Sequence, residues 1–197
     1  EEYFRATRAG RGKAVILYGQ LGMGRDYLPD RLQDVLGLRG NTLTSAVQCI
    51  RDDQYRPFGA LGDAIVRSLE QYLDPELHPH RATIEYMRSL GLPSETLEEL
   101  EEIWGFGPGL RAGVEVKRSH LVRFCSVAVS ELCKRHTPVF IFDRVELMDS
   151  LSLDVLRDLL STIGALPTMV ILATQRVEHM RRALDTGNPE HLGAARV

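Results

Sequence analysis

Four short apolar segments of the chain have the pattern of strands that are buried on both faces of a sheet. Each contains consecutive branched or aromatic side chains and is bounded by glycines, polar residues or turn-forming residues. We predict strands at 14–18, 43–50, 138–143 and 168–174. Because strands that alternate with helices are typical of parallel sheets, this repetition favours an α/β fold.

Helical patterns separate these strands. Apolar residues recur at steps of three and four from 27 to 36, and Gly37 is placed to end that helix. The pattern from 58 to 136 is helical, and the segment after the third strand carries leucines at helical spacing, with Asp149 or Ser150 as its N-cap. We predict a three-layer α/β/α P-loop NTPase-like fold, with a parallel sheet and a helical insertion between strands two and three.

Composition is ordinary for a globular protein and limits the function classes. The chain has 197 residues, 44% of them hydrophobic and 26% charged, which suffices for one domain spanning 1–197 and excludes disordered and fibrous classes. The net charge is −3, whereas domains that bind nucleic acid usually carry a positive surface. We therefore do not expect nucleic acid as a partner. No apolar run is long enough to span a bilayer, and the three cysteines are an odd number. We predict a cytoplasmic protein.

A glycine-rich segment, "GQLGMGRD", follows the first strand and precedes a helix. In a phosphate-binding loop, glycines let consecutive backbone N–H groups point at phosphate oxygens from the positive end of a helix. Gly19, Gly22 and Gly24 have the spacing of such a loop, and Met23 lies between the last two. The segment is a candidate nucleotide-binding loop; the alternative is a glycine-rich turn from strand to helix.

The residues that end this loop depart from the usual chemistry. Arg25 stands where a lysine normally reaches the phosphates, and its planar guanidinium is not equivalent to a compact ammonium. Asp26 replaces the hydroxyl that normally ligates Mg²⁺. Its carboxylate either satisfies the loop N–H groups as a built-in anion or helps to coordinate a metal.

A second candidate site lies in "VFIFDRVELMD". Asp143 ends the third strand, where a Walker B carboxylate would hold Mg²⁺ and its water shell. The next residue should be the acid that orients the attacking water, but it is Arg144. Glu146 is an alternative source of that acid, although it lies further along the chain. We therefore expect no catalytic residue to act here.

Polar residues also follow the fourth strand. Thr174 is placed as a polar sensor of nucleotide would be, and Arg176 faces either phosphate or the edge of the sheet. His78 and His80 flank Pro79, but no cysteine or carboxylate lies at ligand spacing in the sequence. We interpret the two histidines as surface-loop residues rather than a metal pair.

Together these segments resemble the signal-transduction ATPases of the STAND class, a branch of the AAA-type P-loop proteins found in large bacterial regulators. The resemblance rests on "RGKAVILYGQLGMGRDYLPDRL", "QYRPFGALGDAIVRSL", "TPVFIFDRVELMDSLSLDVLRDLL" and "PTMVILATQR". It implies a regulatory module in which the ATP state switches an attached effector. It also implies that Gly19, Gly22 and Gly24 are loop glycines, that Asp143 is the Walker B acid, and that Asp149 closes that segment.

Three departures from the family pattern set our expectation of function. The lysine, the hydroxyl and the paired acid of the family are replaced here by Arg25, Asp26 and Arg144. We therefore do not firmly expect a cofactor, and we expect ATP and Mg²⁺ only if the domain retains nucleotide binding. The family continues into a fifth strand and a winged helical region, which we expect this chain to lack as a fragment of a larger multidomain protein.

Three functions remain open. The first is a degenerate ATPase module that acts as a regulatory or scaffolding domain by binding other domains of the same or a partner signalling protein. The second is an ATP-binding switch with weak ATPase activity, in which Arg25 and the loop amides still hold nucleotide. The third is a DNA-associated AAA module of the origin-binding type, which the net charge disfavours.

Overall fold

A computed structural model describes residues 2–19, 27–37, 40–107, 116–184 and 192–196 of the chain. Its strands form one parallel sheet in the order β2-β3-β4-β1-β5. The strands are β1 (Lys13–Tyr18), β2 (Thr42–Gln48), β3 (Thr137–Asp143), β4 (Met169–Thr174) and β5 (Leu192–Arg196).

Helices connect the strands and cover both faces of the sheet. Four of them lie between β2 and β3, in the segment where the sequence predicts a helical insertion. None of the described helices is both long and apolar enough to cross a membrane. The helices are α1 (Glu2–Arg8), α2 (Leu28–Gly37), α3 (Gly59–Leu69), α4 (Pro79–Ser89), α5 (Ser94–Ile103), α6 (Arg118–Cys133), α7 (Ser150–Thr162) and α8 (Val177–Ala183).

Alternate residues of the central strands enter two separate hydrophobic clusters. Val139 and Ile141 of β3 pack with Phe4 and Leu36 of α1 and α2 on one side of the sheet. Phe140 and Phe142 of the same strand pack into the larger cluster with residues of α3, α6 and α7 on the other side. Because side chains alternate along a strand, a sheet that is buried on both faces needs apolar residues at every position. The three-layer α/β/α prediction is confirmed.

Strand β2 ends two residues earlier than the sequence pattern indicates. The backbone N–H of Ile50 donates to the Asp53 carboxylate Oδ2 at 2.7 Å, and a short 3₁₀ helix follows at Arg51–Tyr55. Asp53 therefore turns the chain away from the sheet, although Cys49 and Ile50 are apolar enough to continue a strand.

The expectation that the chain lacks a fifth strand is wrong. β5 pairs in parallel with β1 over five residues, from Ala14 opposite Leu192 to Tyr18 opposite Arg196. Its sequence, "LGAAR", has no branched or aromatic run and no alternation of apolar and polar residues, so propensity gives no strand signal there. The backbone hydrogen bonds that β1 offers at its outer edge explain the pairing instead.

Candidate functional site

The carboxyl ends of the strands bring three candidate residues to one edge of the sheet. Tyr18 is the register partner of Thr174, so Gly19 begins the glycine-rich loop beside the end of β4. Asp143 ends β3, on the other side of β4. Ligands of open parallel sheets bind outside this edge. The loop residues that follow, Gly22, Met23, Gly24, Arg25 and Asp26, lie outside the described residues.

Asp143 is buried, and both of its carboxylate oxygens already accept hydrogen bonds from the protein. Its side chain is 6% exposed. Oδ1 accepts from the backbone N–H of Arg144 at 2.8 Å, and Oδ2 accepts from Nε2 of Gln48 at 3.2 Å. Gln48 was not identified from the sequence, although it is a polar residue at the carboxyl end of a strand. The carboxylate is therefore held in place before any ligand reaches it.

Arg144 has an uncommon backbone conformation that turns it towards Asp143. Its φ of 52° and ψ of 46° lie in the left-handed region, which residues other than glycine rarely adopt. The guanidinium Nε lies 3.9 Å from Oδ2 of Asp143, and the side chain is 41% exposed. Strained backbone of this kind is concentrated at functional sites. Arg144 is thus the ion-pair partner of Asp143, the acid that ends β3.

Four carboxylates lie around the buried thiol of Cys49. The pKa of Cys49 is raised from its ordinary 9.0 to about 12, mainly by burial and in addition by the negative charges of Asp53, Asp143, Asp149 and Glu146. Oδ2 of Asp149 and Oε2 of Glu146 are buried without a hydrogen-bond partner. This end of the sheet therefore concentrates negative charge.

Asp149 links the Asp143 segment to the helical insertion. Its Oδ1 accepts hydrogen bonds from the backbone N–H groups of Ser152 and Phe58, both at 2.8 Å. The first bond caps helix α7, as the sequence predicts, because a side-chain oxygen replaces the missing helical acceptor. The second bond, to the residue that precedes α3, has no local sequence signal because 91 positions separate the two residues.

Thr174 and Arg176 form a local turn at the end of β4. The buried Thr174 hydroxyl accepts a hydrogen bond from the backbone N–H of Arg176 at 3.0 Å. Arg176 precedes α8, and its side chain is exposed. Thr174 is therefore held by a local hydrogen bond at the end of β4, and a role of either residue in nucleotide sensing stays a prediction.

Among the described residues, Asp143 is the carboxylate that the family resemblance implies for Mg²⁺, and Arg144 lies beside it. In the described part of the chain, no three or more histidine, cysteine, aspartate or glutamate side chains are grouped so that they could hold a metal ion. Asp143 accepts one hydrogen bond on each oxygen, and the nearby cation is Arg144. Mg²⁺ at a nucleotide keeps several waters and takes one or two carboxylates together with the phosphates.

A separate polar network joins α3 to α4. Asp63 binds Nη2 of Arg56 at 2.6 Å and Nε2 of His80 at 3.1 Å. Burial raises the pKa of Asp63, but the hydrogen bonds from His80 and Arg56 outweigh it, so the pKa is lowered. The His80 ring packs edge-on against Trp104 at 4.7 Å, and these four residues line a cavity of about 310 Å³. The surface-loop interpretation is wrong for His80, which lies in the first turn of α4 with a partner 17 residues away.

Comparisons with known proteins identify the fold family. The sequence model of the family described as "AAA ATPase domain" matches residues 1–172. None of the curated proteins matches the chain.

Two solved structures are similar in fold. Cdc6p from Pyrobaculum aerophilum has a TM-score of 0.49 and 15% sequence identity, and the match covers 96% of this chain and 41% of that one. Drosophila ORC bound to poly(dA/dT) DNA and Cdc6 has a TM-score of 0.49 and 14% identity, with 100% and 27% covered. This chain thus spans less than half the length of either. The expectation that nucleic acid is not a partner stays a prediction.

The family match covers most of the chain and agrees with its architecture. The matched region contains the loop after β1, the whole insertion and the Asp143 segment, and ends within β4. The predicted AAA-type P-loop fold is confirmed, whereas membership of the STAND class stays a prediction. The chain belongs to the AAA ATPase domain family.

Proposed function

We propose that this AAA domain does not hydrolyse ATP and acts as a regulatory or scaffolding module by binding other domains of a signalling protein. In this proposal the domain has the STAND type of role, in which an AAA module controls an effector. The domain has the fold of an ATPase but acts on the effector through contacts with other protein domains.

The state of the Asp143 carboxylate carries this proposal. Walker B chemistry needs a carboxylate for the metal shell and a neighbouring acid for the attacking water. Here Asp143 accepts one hydrogen bond on each oxygen, from Gln48 and from the Arg144 backbone, and Arg144 supplies a positive charge where an acid is needed. A cation at that position cannot accept a proton from water, since a guanidinium has no acceptor atom. The arrangement therefore favours loss of hydrolysis.

Glu146 is the alternative acid, and it is half-buried in the turn after Asp143. Its Oε2 is buried and has no hydrogen-bond partner. A water-orienting carboxylate must reach the nucleophile within hydrogen-bond distance. The sequence of the loop supports the same conclusion, because Arg25 and Asp26 replace the lysine and the hydroxyl.

A nucleotide-binding switch is the second candidate, and one observation favours it. Gly19, Thr174 and Asp143 lie along the same edge of the sheet, with the strand order that places β4 between the loop strand and the Asp143 strand. Binding and hydrolysis are separable, because backbone N–H groups can hold phosphate without any catalytic acid.

Phosphate release tests the proposal directly. The wild-type domain and the Asp143→Asn variant are incubated with 1 mM ATP and Mg²⁺, and inorganic phosphate is followed for several hours. We expect the two proteins to give the same rate as buffer alone. A wild-type rate above buffer that disappears in Asp143→Asn would refute the proposal, since only a working carboxylate could produce that difference.

A further inference from the structure

One edge of the sheet is open in the described part of the chain. Strand β2 stands at the end of the strand order, and all of its register partners belong to β3. Just before β2, the carbonyl of Asn41 accepts a hydrogen bond from the N–H of Thr137. Just after β2, the N–H of Cys49 donates to the carbonyl of Asp143. Because backbone groups alternate between the two sides of a strand, odd-numbered positions of β2 face β3 and even-numbered positions face outwards.

The outward groups of β2 are available to pair with another strand. The backbone N–H and C=O groups of Thr44 and Gln48 have no partner among the described residues. Nη1 of Arg67 donates to the carbonyl of Ala46 at 3.0 Å. A carbonyl oxygen has two lone pairs, so this bond does not prevent pairing at Ala46. An edge with unpaired groups is a template for an extended peptide.

A cavity of about 380 Å³ adjoins the carboxyl end of this edge. Val47, Gln48 and Ile50 contribute to its lining, and Ile50 is 50% exposed. The cavity therefore lies where the side chains of a strand added to β2 would be placed, with an apolar group of the protein at its rim.

The charged lining of the cavity is negative overall. It consists of three carboxylates and two guanidiniums, which belong to Asp52, Asp53, Asp63, Arg56 and Arg67. Arg56 binds Asp53 at 3.3 Å and Asp63 at 2.6 Å, so these two acids already have a counter-charge. Asp52 is exposed and forms no ion pair with any described residue. The unmatched carboxylate of Asp52 favours a cationic side chain in the cavity.

We propose that the outer edge of β2 and this cavity bind an extended segment of a partner protein, which adds a strand to the sheet and places a lysine or arginine side chain beside Asp52. The inference rests on the proposed function and deepens it, because it specifies the surface and the chemistry of the protein contact. Backbone hydrogen bonds hold the added strand, and the cavity selects its side chains. A shift by one residue would turn the cation to the opposite face, so the cavity also fixes the register.

N-methylated peptides test the backbone pairing on the wild-type protein. The probe is a fluorescein-labelled eight-residue peptide in which lysine and valine alternate, and its binding is followed by fluorescence anisotropy. In an added strand, only one alternating set of N–H groups faces β2. We expect methylation of one set to weaken binding at least about tenfold, and methylation of the other set to change it less than about twofold. Equal effects of the two sets, or no binding of the unmethylated peptide, would overturn the inference.

Substitution of Thr44 tests the edge from the side of the protein. Thr44→Pro removes an outward N–H and leaves the bonds to β3 in place, and proline is tolerated on edge strands whose N–H faces solvent. Thr44→Val keeps the N–H and is the matched control. We expect Thr44→Pro to bind the lysine peptide at least about tenfold more weakly, and Thr44→Val to bind within about twofold of wild type. Wild-type affinity in a folded Thr44→Pro would refute the pairing, and the methylated peptides decide the matter if this variant does not fold.

Asp52→Asn tests the selection of a cation. Wild type should bind the lysine peptide at least about tenfold more tightly than a peptide with glutamate in place of lysine. Asp52→Asn should reduce this preference at least about threefold, whereas Glu95→Gln, which neutralises an exposed acid on α5, should leave it unchanged. An unchanged preference in Asp52→Asn would overturn the assignment of the cavity.

Light scattering on the free domain separates a partner segment from a second copy of this chain. We expect a monomer, whereas a dimer that Thr44→Pro abolishes would show that β2 pairs with itself and would overturn the inference. None of these results would refute the non-hydrolysing function, which phosphate release tests separately.

Discussion

At the scale of single residues, buried carboxylates in this protein hold backbone N–H groups. Asp53 accepts from Ile50, Asp143 from Arg144, and Asp149 from two residues. Such bonds are stronger than those between neutral groups, and an unpaired buried N–H costs the full desolvation energy. The acids therefore shape the site even where they perform no chemistry.

Asp149 should be the most sensitive of these acids. Asp149→Ala leaves the N–H groups of Phe58 and Ser152 without acceptors and should lower the free energy of unfolding by about 2 to 4 kcal/mol. Asp149→Asn retains an acceptor oxygen and should lose much less. Urea denaturation followed by circular dichroism measures both. Equal stability of Asp149→Ala and wild type would contradict the role of Asp149 in joining α7 to α3.

The thiol of Cys49 should make the free energy of unfolding depend on pH in the alkaline range. Its pKa is about 12 in the folded protein and 9.0 ordinarily, because burial and the surrounding acids disfavour the thiolate. The folded protein holds the thiol proton more tightly than the unfolded chain does. This contribution to the free energy of unfolding is complete below pH 9 and is lost as the pH rises towards 12. The difference in unfolding free energy between wild type and Cys49→Ala should therefore decrease above pH 9. A difference that stays constant from pH 8 to about pH 11 would show that this thiol does not titrate differently on folding.

At the scale of elements, apolar runs predicted four strands and the layers around them, and these predictions hold. The strand β5 was missed because "LGAAR" carries no pattern of its own and depends on the free edge of β1. Similarly, the bond of Asp149 to Phe58 and that of Gln48 to Asp143 join residues more than 90 positions apart. Local periodicity predicts elements, but such long-range partners appear only once the chain is folded.

The Asp63 network should stabilise the packing of α3 against α4. Asp63→Asn weakens the hydrogen bonds to Arg56 and His80 and should lower the free energy of unfolding by about 1 kcal/mol. The expected loss is small because solvent screens the half-exposed Arg56. Because the folded pKa of Asp63 is lowered, this contribution is present above its ordinary 3.8 and is lost as the pH falls below that value. Trp104, the single tryptophan of the chain, reports unfolding by fluorescence.

Glu95→Gln on α5 is the matched control for that experiment, because it removes an exposed acid from the same group of helices. Its unfolding free energy should stay within about 0.5 kcal/mol of wild type. If Asp63→Asn were as stable as this control at pH 7, the network would contribute nothing to the insertion.

At the scale of the whole molecule, one edge of the sheet carries the residues on which the proposed function rests. The strand order places Gly19, Thr174 and Asp143 along this edge, and Arg144 and Gln48 both contact the Asp143 carboxylate. The sequence predicted the position of Asp143 and the substitution at Arg144. It did not predict that Arg144 adopts a left-handed backbone and pairs with Asp143, because that geometry arises from the fold.

Reversal of the three departures from the family pattern tests the central claim most directly. Phosphate release with Mg-ATP is compared between wild type and a variant that combines Arg25→Lys, Asp26→Thr and Arg144→Glu. If these substitutions alone removed hydrolysis, the wild type should release no phosphate above buffer, and the combined variant should release it in proportion to enzyme and only with Mg²⁺. Wild-type turnover equal to or above that of the combined variant would contradict the account.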